Sequence, residues 1–229
     1  MSKNADLSEI DSWVFDLDNT LYPRSCNLFA QVDKLITKYV MNTTGLEHSK
    51  AYKIQKTYYR DHGTTMNGLM QNYGIDPDHY LDFVHDIDYS PVMAHAELVE
   101  AISVLKGKKY IFTNADIGHS EAVLEKLGAT KLFDGMFDIR ATGFKPKPEP
   151  IAYEKFIKEF KIVPSAAIMF DDLEKNLKVP HVIGMKTVQV IADEDFNHEL
   201  VESWELERCH ENEHVHHITN DLVKFLKTT

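Results

Sequence analysis

The chain alternates short, wholly apolar runs with longer stretches in which apolar positions recur at helical spacing. Three runs stand out: Trp13-Val14-Phe15, Tyr110-Ile111-Phe112 and Ala166-Ala167-Ile168-Met169-Phe170. Each is too short for a helix and suits a strand buried on both faces, as in parallel sheets. Lys186 to Ile191 reads as another strand. Helical periodicity follows the second run over Ser120 to Leu127 and precedes the third over Ile151 to Phe160. The alternation of strand and helix predicts an α/β fold with a doubly wound, mostly parallel sheet.

About ninety residues separate the first run from the second, far more than one crossover needs. Phe29, Val32, Ile36, Tyr39 and Val40 recur at helical spacing, and further helices are predicted near Ala51 to Tyr59, Met66 to Tyr73, Tyr80 to His85 and Ala96 to Leu105. The pattern predicts an inserted helical cap over residues 22–91, with residues 1–21 and 92–229 forming the α/β core. Hinges are expected where the insert leaves and rejoins the sheet, near Leu21-Tyr22-Pro23 and Asp88 to Met93. The polar tail after Asp193 is expected to end in a helix over Ile218 to Leu226, capped by Thr219 or Asn220.

Polar residues follow each apolar run at once: Asp16-Leu17-Asp18-Asn19-Thr20, Thr113-Asn114-Ala115-Asp116 and Asp171-Asp172. In doubly wound sheets ligands bind just beyond the carboxyl ends of the strands, so the fold would gather these groups in one crevice.

Composition sharpens that picture. With 229 residues, 43% hydrophobic and 27% charged, the chain is of ordinary globular make-up. Lys and Arg number 25 against 36 Asp and Glu, a net charge of −11, and no basic run tracks a nucleic-acid backbone. An anionic substrate would need a local cation, a metal ion or a placed lysine. Only Cys26 and Cys209 are present, which is no disulfide framework. The polar Met1 to Asp11 segment lacks the apolar stretch of a signal peptide, and no run has the length of a membrane helix. A cytoplasmic location with no membrane partner is expected.

Asp16 and Asp18 stand two apart at a strand end, where period-two geometry turns both side chains the same way. One carboxylate can attack phosphorus while the other handles protons, although such a pair also suits a turn or helix cap. Asp171 and Asp172 add hard oxygen ligands that, with Asp16 and a backbone carbonyl, resemble a magnesium site, although on their own they also suit a turn capping the next helix. Thr113 and Asn114 offer a hydroxyl and an amide to phosphate oxygens, or a cap to the following helix. Lys145 and Lys147 lie in a proline-stiffened loop, Gly143 to Pro150, that could hold one ammonium rigidly near a phosphate.

Taken in order, Asp16-Leu17-Asp18-Asn19-Thr20, Thr113-Asn114, Lys147 and Asp171-Asp172 resemble the four motifs of the haloacid dehalogenase superfamily. The long helical insert resembles that superfamily's C1 cap. Trp13 to Pro23, Tyr58-Tyr59-Arg60-Asp61-His62-Gly63-Thr64-Thr65 and Val84-His85-Asp86-Ile87-Asp88 resemble its pyrimidine 5'-nucleotidase branch, and the similarity spans about Asp11 to Ile191.

The resemblance implies Asp16 as nucleophile and magnesium ligand, and Asp18 as acid and base whose backbone carbonyl binds the metal. It implies Thr113 and Asn114 at the phosphate, and Asp171 and Asp172 at the metal. Lys147 rather than Lys145 matches the third motif, because Tyr153 supplies an aromatic six positions on. The superfamily's carbon–halogen hydrolases lack an acid two residues after the nucleophile, so Asp18 implies phosphate-ester cleavage.

Substrate recognition is expected in the insert, where Tyr58, Tyr59, Arg60, His62, Thr64 and Thr65 combine stacking faces with hydrogen-bond groups; His62, Thr64 and Thr65 are the candidate contacts. The expected activity is hydrolysis of a small phosphate ester, a pyrimidine nucleoside 5'-monophosphate. Phosphoglycolate, a sugar phosphate, or a catalytically silent phosphate-binding module are the alternatives. His210, His214 and His217 fall at helical spacing beside Cys209, and read as a solvated polar face rather than a metal site.

Overall fold

The computed structural model describes residues 7–192 and 212–228. Among them, six strands form one parallel sheet in the order β3-β2-β1-β4-β5-β6. The strands are β1 (Ser12–Phe15), β2 (Lys108–Phe112), β3 (Gly135–Phe137), β4 (Ala167–Asp171), β5 (Lys186–Val190) and β6 (His217–Thr219). The α/β expectation therefore holds, with β1 central between β2 and β4.

Side-chain alternation explains why the central strands are apolar throughout. Trp13, Phe15, Ile111, Ile168 and Phe170 join one core, while Val14, Tyr110, Phe112, Ala167 and Met169 join another on the opposite face. The first core is closed by α5 (Ala96–Ser103), α6 (Ile117–Leu127) and α9 (Leu222–Leu226), through Leu98, Ile102, Val123, Leu127, Leu222 and Leu226. The second is closed mainly by α7 (Pro150–Phe160), through Ala152, Tyr153 and Phe156. Val14, Phe15, Phe112, Ile168 and Phe170 are completely buried. Each large apolar side chain so removed from water contributes about 1.5–3 kcal/mol.

Between β1 and β2 the helices α1 (Leu28–Thr44), α2 (His48–His62), α3 (Thr65–Tyr73) and α4 (Pro77–Val84) pack around a third core. Val32, Val40, Leu69, Tyr80 and Leu81 sit in it, joined by Ile139 from beyond β3. The insert thus has its own apolar interior. Two short helices complete the chain order: α8 (Lys178–Val182) between β4 and β5, and α9 after β6.

The tail departs from the expected single helix. His217–Thr219 instead pairs in parallel with Val188 to Val190, and Asp221, not Thr219 or Asn220, caps α9 by accepting from the Lys224 amide. His214 lies before β6 beside Glu174 and His217 opens the strand, so no helix aligns them. His210 and Cys209 fall outside the described residues.

Gly107 ties β2 to the start of β1. Its φ is +87°, and a Cβ there would stand 2.2 Å from the Asp11 carbonyl oxygen, which already accepts from the Lys108 amide. Gly107→Ala combines left-handed backbone strain with a clash against main chain. Urea denaturation is expected to show a loss of about 2 kcal/mol or more; an unchanged midpoint would contradict this packing.

Candidate functional site

The site forms where β1, β2 and β4 end side by side. The ladder runs on through Asp16, whose amide donates to Phe170 O at 2.8 Å, and Thr113, whose amide donates to Phe137 O at 3.0 Å. After Asp18 the chain turns sharply: Asn19 takes φ +59°, which Asn tolerates better than most residues, and the Thr20 and Leu21 amides both bond the Leu17 carbonyl. Asp16, Asp18, Thr113, Asn114, Lys147 and Asp172 all line one cavity. Residues scattered over more than 150 positions are thus gathered, most of them by strand order.

Lys147 is the electrostatic centre. Its side chain is 1% exposed, and Nζ lies 2.8 Å from Asp16 Oδ1 and 2.7 Å from Asp171 Oδ2. Burial opposes its charge, yet the two carboxylates hold the ammonium protonated beyond the usual lysine value. Asn114 fixes the loop that carries it: the Lys147 amide donates to Asn114 Oδ1 at 2.8 Å, and Asn114 Nδ2 donates back to Lys147 O at 3.2 Å. Asn114 therefore clamps the lysine loop as well as lining the cavity. Lys145, by contrast, is exposed.

Tyr153, the aromatic that singled out Lys147 in the sequence, is buried and donates to Asn176 O at 2.7 Å. Asn176 Nδ2 in turn donates to Asp171 Oδ1 at 2.9 Å, as does the Leu173 amide. Tyr153 thus supports Asp171 through the turn after β4.

Asp16, Asp171 and Asp172 bring carboxylate oxygens within 4.8 Å of one another, all buried. Burial pushes the Asp16 carboxyl well above the usual range; Lys147 opposes the rise, and Asp171, Asp172 and Asp18 add to it. Asp172 is pushed up to about 6 by burial, against the pull of Arg24 at 2.5 Å. An all-oxygen set of crowded acids whose charges repel one another suits a hard divalent cation such as magnesium, so these residues fit the ion that the sequence implies.

Asp18 is held differently. Tyr22 donates to its Oδ1 at 2.5 Å, and His119 Nε2 lies 2.8 Å from the same oxygen. Burial works against ionisation, but His119 and Tyr22 outweigh it and keep Asp18 below the usual carboxylate range. His119 Nδ1 lies 3.1 Å from the Tyr89 hydroxyl, its ring stacks on His85 at 4.4 Å, and His85 lies 3.1 Å from Asp116. In this arrangement Asp18 is an ionised acceptor beside a proton-bearing imidazole.

Of the residues expected from the insert, Thr64 and Thr65 line the cavity and His62 does not. Thr64 Oγ1 accepts from the Asn67 amide as the cap of α3, and Thr65 donates to Gln55 O. The His62 ring packs edge-on against Tyr58, and Tyr58 fills the space over Gly68. Tyr59 does face the cavity, with Lys175 Nζ 4.2 Å from its ring centre. Gly63 links this segment to the lysine loop: at φ +79° its backbone approaches Pro146 so closely that a Cβ would lie 2.9 Å from the proline ring.

Sequence reasoning missed Arg24, Asp33, Gln55, Lys56, His85 and His119. Arg24 had a signal, being the first cation after the Asp16 segment in a strongly acidic chain. The others read as ordinary helix positions.

Comparison with known proteins gives the family and the fold. A model described as haloacid dehalogenase-like hydrolase matches residues 10–179. Phosphate metabolism protein 8 of Saccharomyces cerevisiae is 26% identical over 229 residues, 92% of this chain and 70% of that protein. CbbY from Rhodobacter sphaeroides, solved in complex with phosphate, superposes with a TM-score of 0.64 at 12% identity, covering 94% of this chain and 96% of that one. The magnesium-bound HAD-hydrolase YfnB of Bacillus subtilis superposes at 0.58 with 16% identity, covering 95% and 97%.

Proposed function

The chain belongs to the haloacid dehalogenase-like hydrolases, and from that premise we propose that it is a magnesium-dependent phosphomonoesterase acting on a pyrimidine nucleoside 5'-monophosphate in the cytoplasm. The observation that carries the chemistry is the pairing of Asp16 with Asp18 in one cavity, beside Lys147 and the oxygen cluster of Asp171 and Asp172. The nucleotide is favoured by the Tyr58 to Thr65 segment, whose Tyr59, Thr64 and Thr65 line that cavity. Residues 22–91 act as a C1 cap on a core of residues 1–21 and 92–229.

In this reading Asp16 attacks phosphorus in line, forming an aspartyl-phosphate as the bond to the 5'-oxygen breaks. The proton that His119 holds at Nε2, 2.8 Å from Asp18, passes to the Asp18 carboxylate and from it to the departing oxygen, leaving His119 neutral until the proton that Asp18 next takes from water returns to it. Asp18 then takes a proton from water, which attacks phosphorus, releases phosphate and restores Asp16. Thr113 and Asn114 hold phosphate oxygens, while Lys147 offsets the charge between the nucleophile and the phosphoryl group. Asp16, the Asp18 carbonyl, Asp171 and Asp172 would hold magnesium, which supplies Lewis-acid stabilisation of the phosphoryl charge when bound.

Phosphate release should be measured from UMP, CMP, dUMP, AMP, GMP, phosphoglycolate and sugar phosphates, with magnesium or with chelator. Release that favours UMP and CMP and falls to background on chelation is expected. Preference for phosphoglycolate or a sugar phosphate would keep the chemistry and replace the substrate. No turnover by folded, magnesium-supplied protein would favour a silent phosphate-binding module.

A further inference from the structure

On its helical side the same cavity is walled by Phe29, Ile36, Met66 and Val84, and this apolar surface is interrupted by Asp33, Gln55 and Lys56. Asp33 comes from α1, Gln55 and Lys56 from α2. Asp33 and Gln55 are 5% and 2% exposed, and the Lys56 side chain is 10% exposed. Gln55 Nε2 donates to Asp33 Oδ1 at 2.7 Å, Lys56 Nζ donates to the same oxygen at 3.1 Å, and the Thr37 hydroxyl donates to Gln55 Oε1. The side chains are therefore fixed before any ligand arrives.

A buried ion pair inside an apolar helical layer is a poor way to gain stability, since apolar residues of similar size usually serve as well or better. Its use is better sought in what it faces. Apolar walls flanking a fixed acceptor and a fixed donor suit a flat ring with one polar edge. Sugar hydroxyls, which point outward on several sides, would meet those walls without partners.

We propose that Asp33, anchored by Gln55, and Lys56, paired directly with Asp33, read the hydrogen-bonding edge of the substrate's base; the inference rests on the nucleotidase reading above. The carboxylate accepts from N3–H of uracil or the amino group of cytosine. The ammonium donates to the neighbouring carbonyl or ring nitrogen. These are specificity residues, apart from the groups that act on phosphorus.

The test compares kcat/KM for UMP, 3-methyl-UMP, which lacks the N3 proton, and ribose 5-phosphate, which lacks the base. Wild-type protein is expected to prefer UMP over 3-methyl-UMP by about 10- to 100-fold, the range for a hydrogen bond to a charged group. A purely structural tie between α1 and α2 would produce no such preference. Asp33→Leu should lower the ratio of UMP to ribose 5-phosphate efficiency by a similar factor. Lys56→Met, which leaves the Asp33–Gln55 bond in place, gives the same readout if Asp33→Leu does not fold. Equal treatment of UMP and 3-methyl-UMP, or an unchanged ratio in a folded variant, overturns base reading while the phosphatase reading stands. Wild-type protein silent on both UMP and ribose 5-phosphate with magnesium overturns both.

Discussion

Asp16→Asn is expected to lower the rate of phosphate release by about four orders of magnitude or more, with the fold retained. An amide has nearly the size and shape of the carboxylate but lacks the charge and nucleophilicity needed to attack phosphorus. Folding should survive because Lys147 keeps Asp171 at 2.7 Å, and because the substitution removes a carboxylate whose ionisation burial already opposes. Rapid-mixing measurements of phosphate release, beside a thermal melt of the same preparation, check both halves. A folded Asp16→Asn protein with near-normal turnover would show that Asp16 is not the nucleophile.

Lys147→Met should damage stability and activity together. It strips the shared countercharge from Asp16 and Asp171, and breaking a buried pair of this kind costs about 3–5 kcal/mol. Turnover should fall by roughly 100-fold or more through loss of the charge that offsets repulsion at the phosphate. The pH dependence has a definite sign. Without the ammonium, the Asp16 carboxyl rises further above its unfolded value. The deficit is then present at neutral pH and narrows as pH falls and Asp16 takes up its proton. Urea denaturation across pH reads this directly. Lys145→Met, on the exposed side of the same loop, should stay within about 0.5 kcal/mol of wild type. Equal effects of the two substitutions would contradict the assignment of the buried lysine.

The central strands were legible because burial on both faces leaves an unmistakable apolar run, as in Trp13 to Phe15 and Ala167 to Phe170. Their carboxyl ends then located Asp16, Thr113 and Asp171 without further help. The strands at the two edges were not legible. Gly135–Phe137 and His217–Thr219 have three residues each, too few to show a period, and exist because β2 and β5 offer them hydrogen-bonding partners.

The insert was legible as helices, and its Tyr58 to Thr65 segment as a stretch near the site, but the polar cluster on α1 and α2 was not. Asp33, Gln55 and Lys56 look like solvent-facing positions in sequence, and the packing of α1, α2 and α3 encloses them. His62, chosen for its type, was turned onto Tyr58 by the end of α2. His119 lies in the first turn of α6, where its amide bonds the capping Asp116; nothing local signals that its ring reaches Asp18, 101 positions earlier.

Asp16 as the nucleophile is tested by mixing the protein with magnesium and UMP labelled in its phosphate, quenching in acid within the first turnover, and mapping the label. Covalent label is expected on the peptide carrying Asp16, none with Asp16→Asn, and loss of the label as free phosphate appears. Phosphate released in that first turnover with no covalently labelled protein at any quench time would contradict that role.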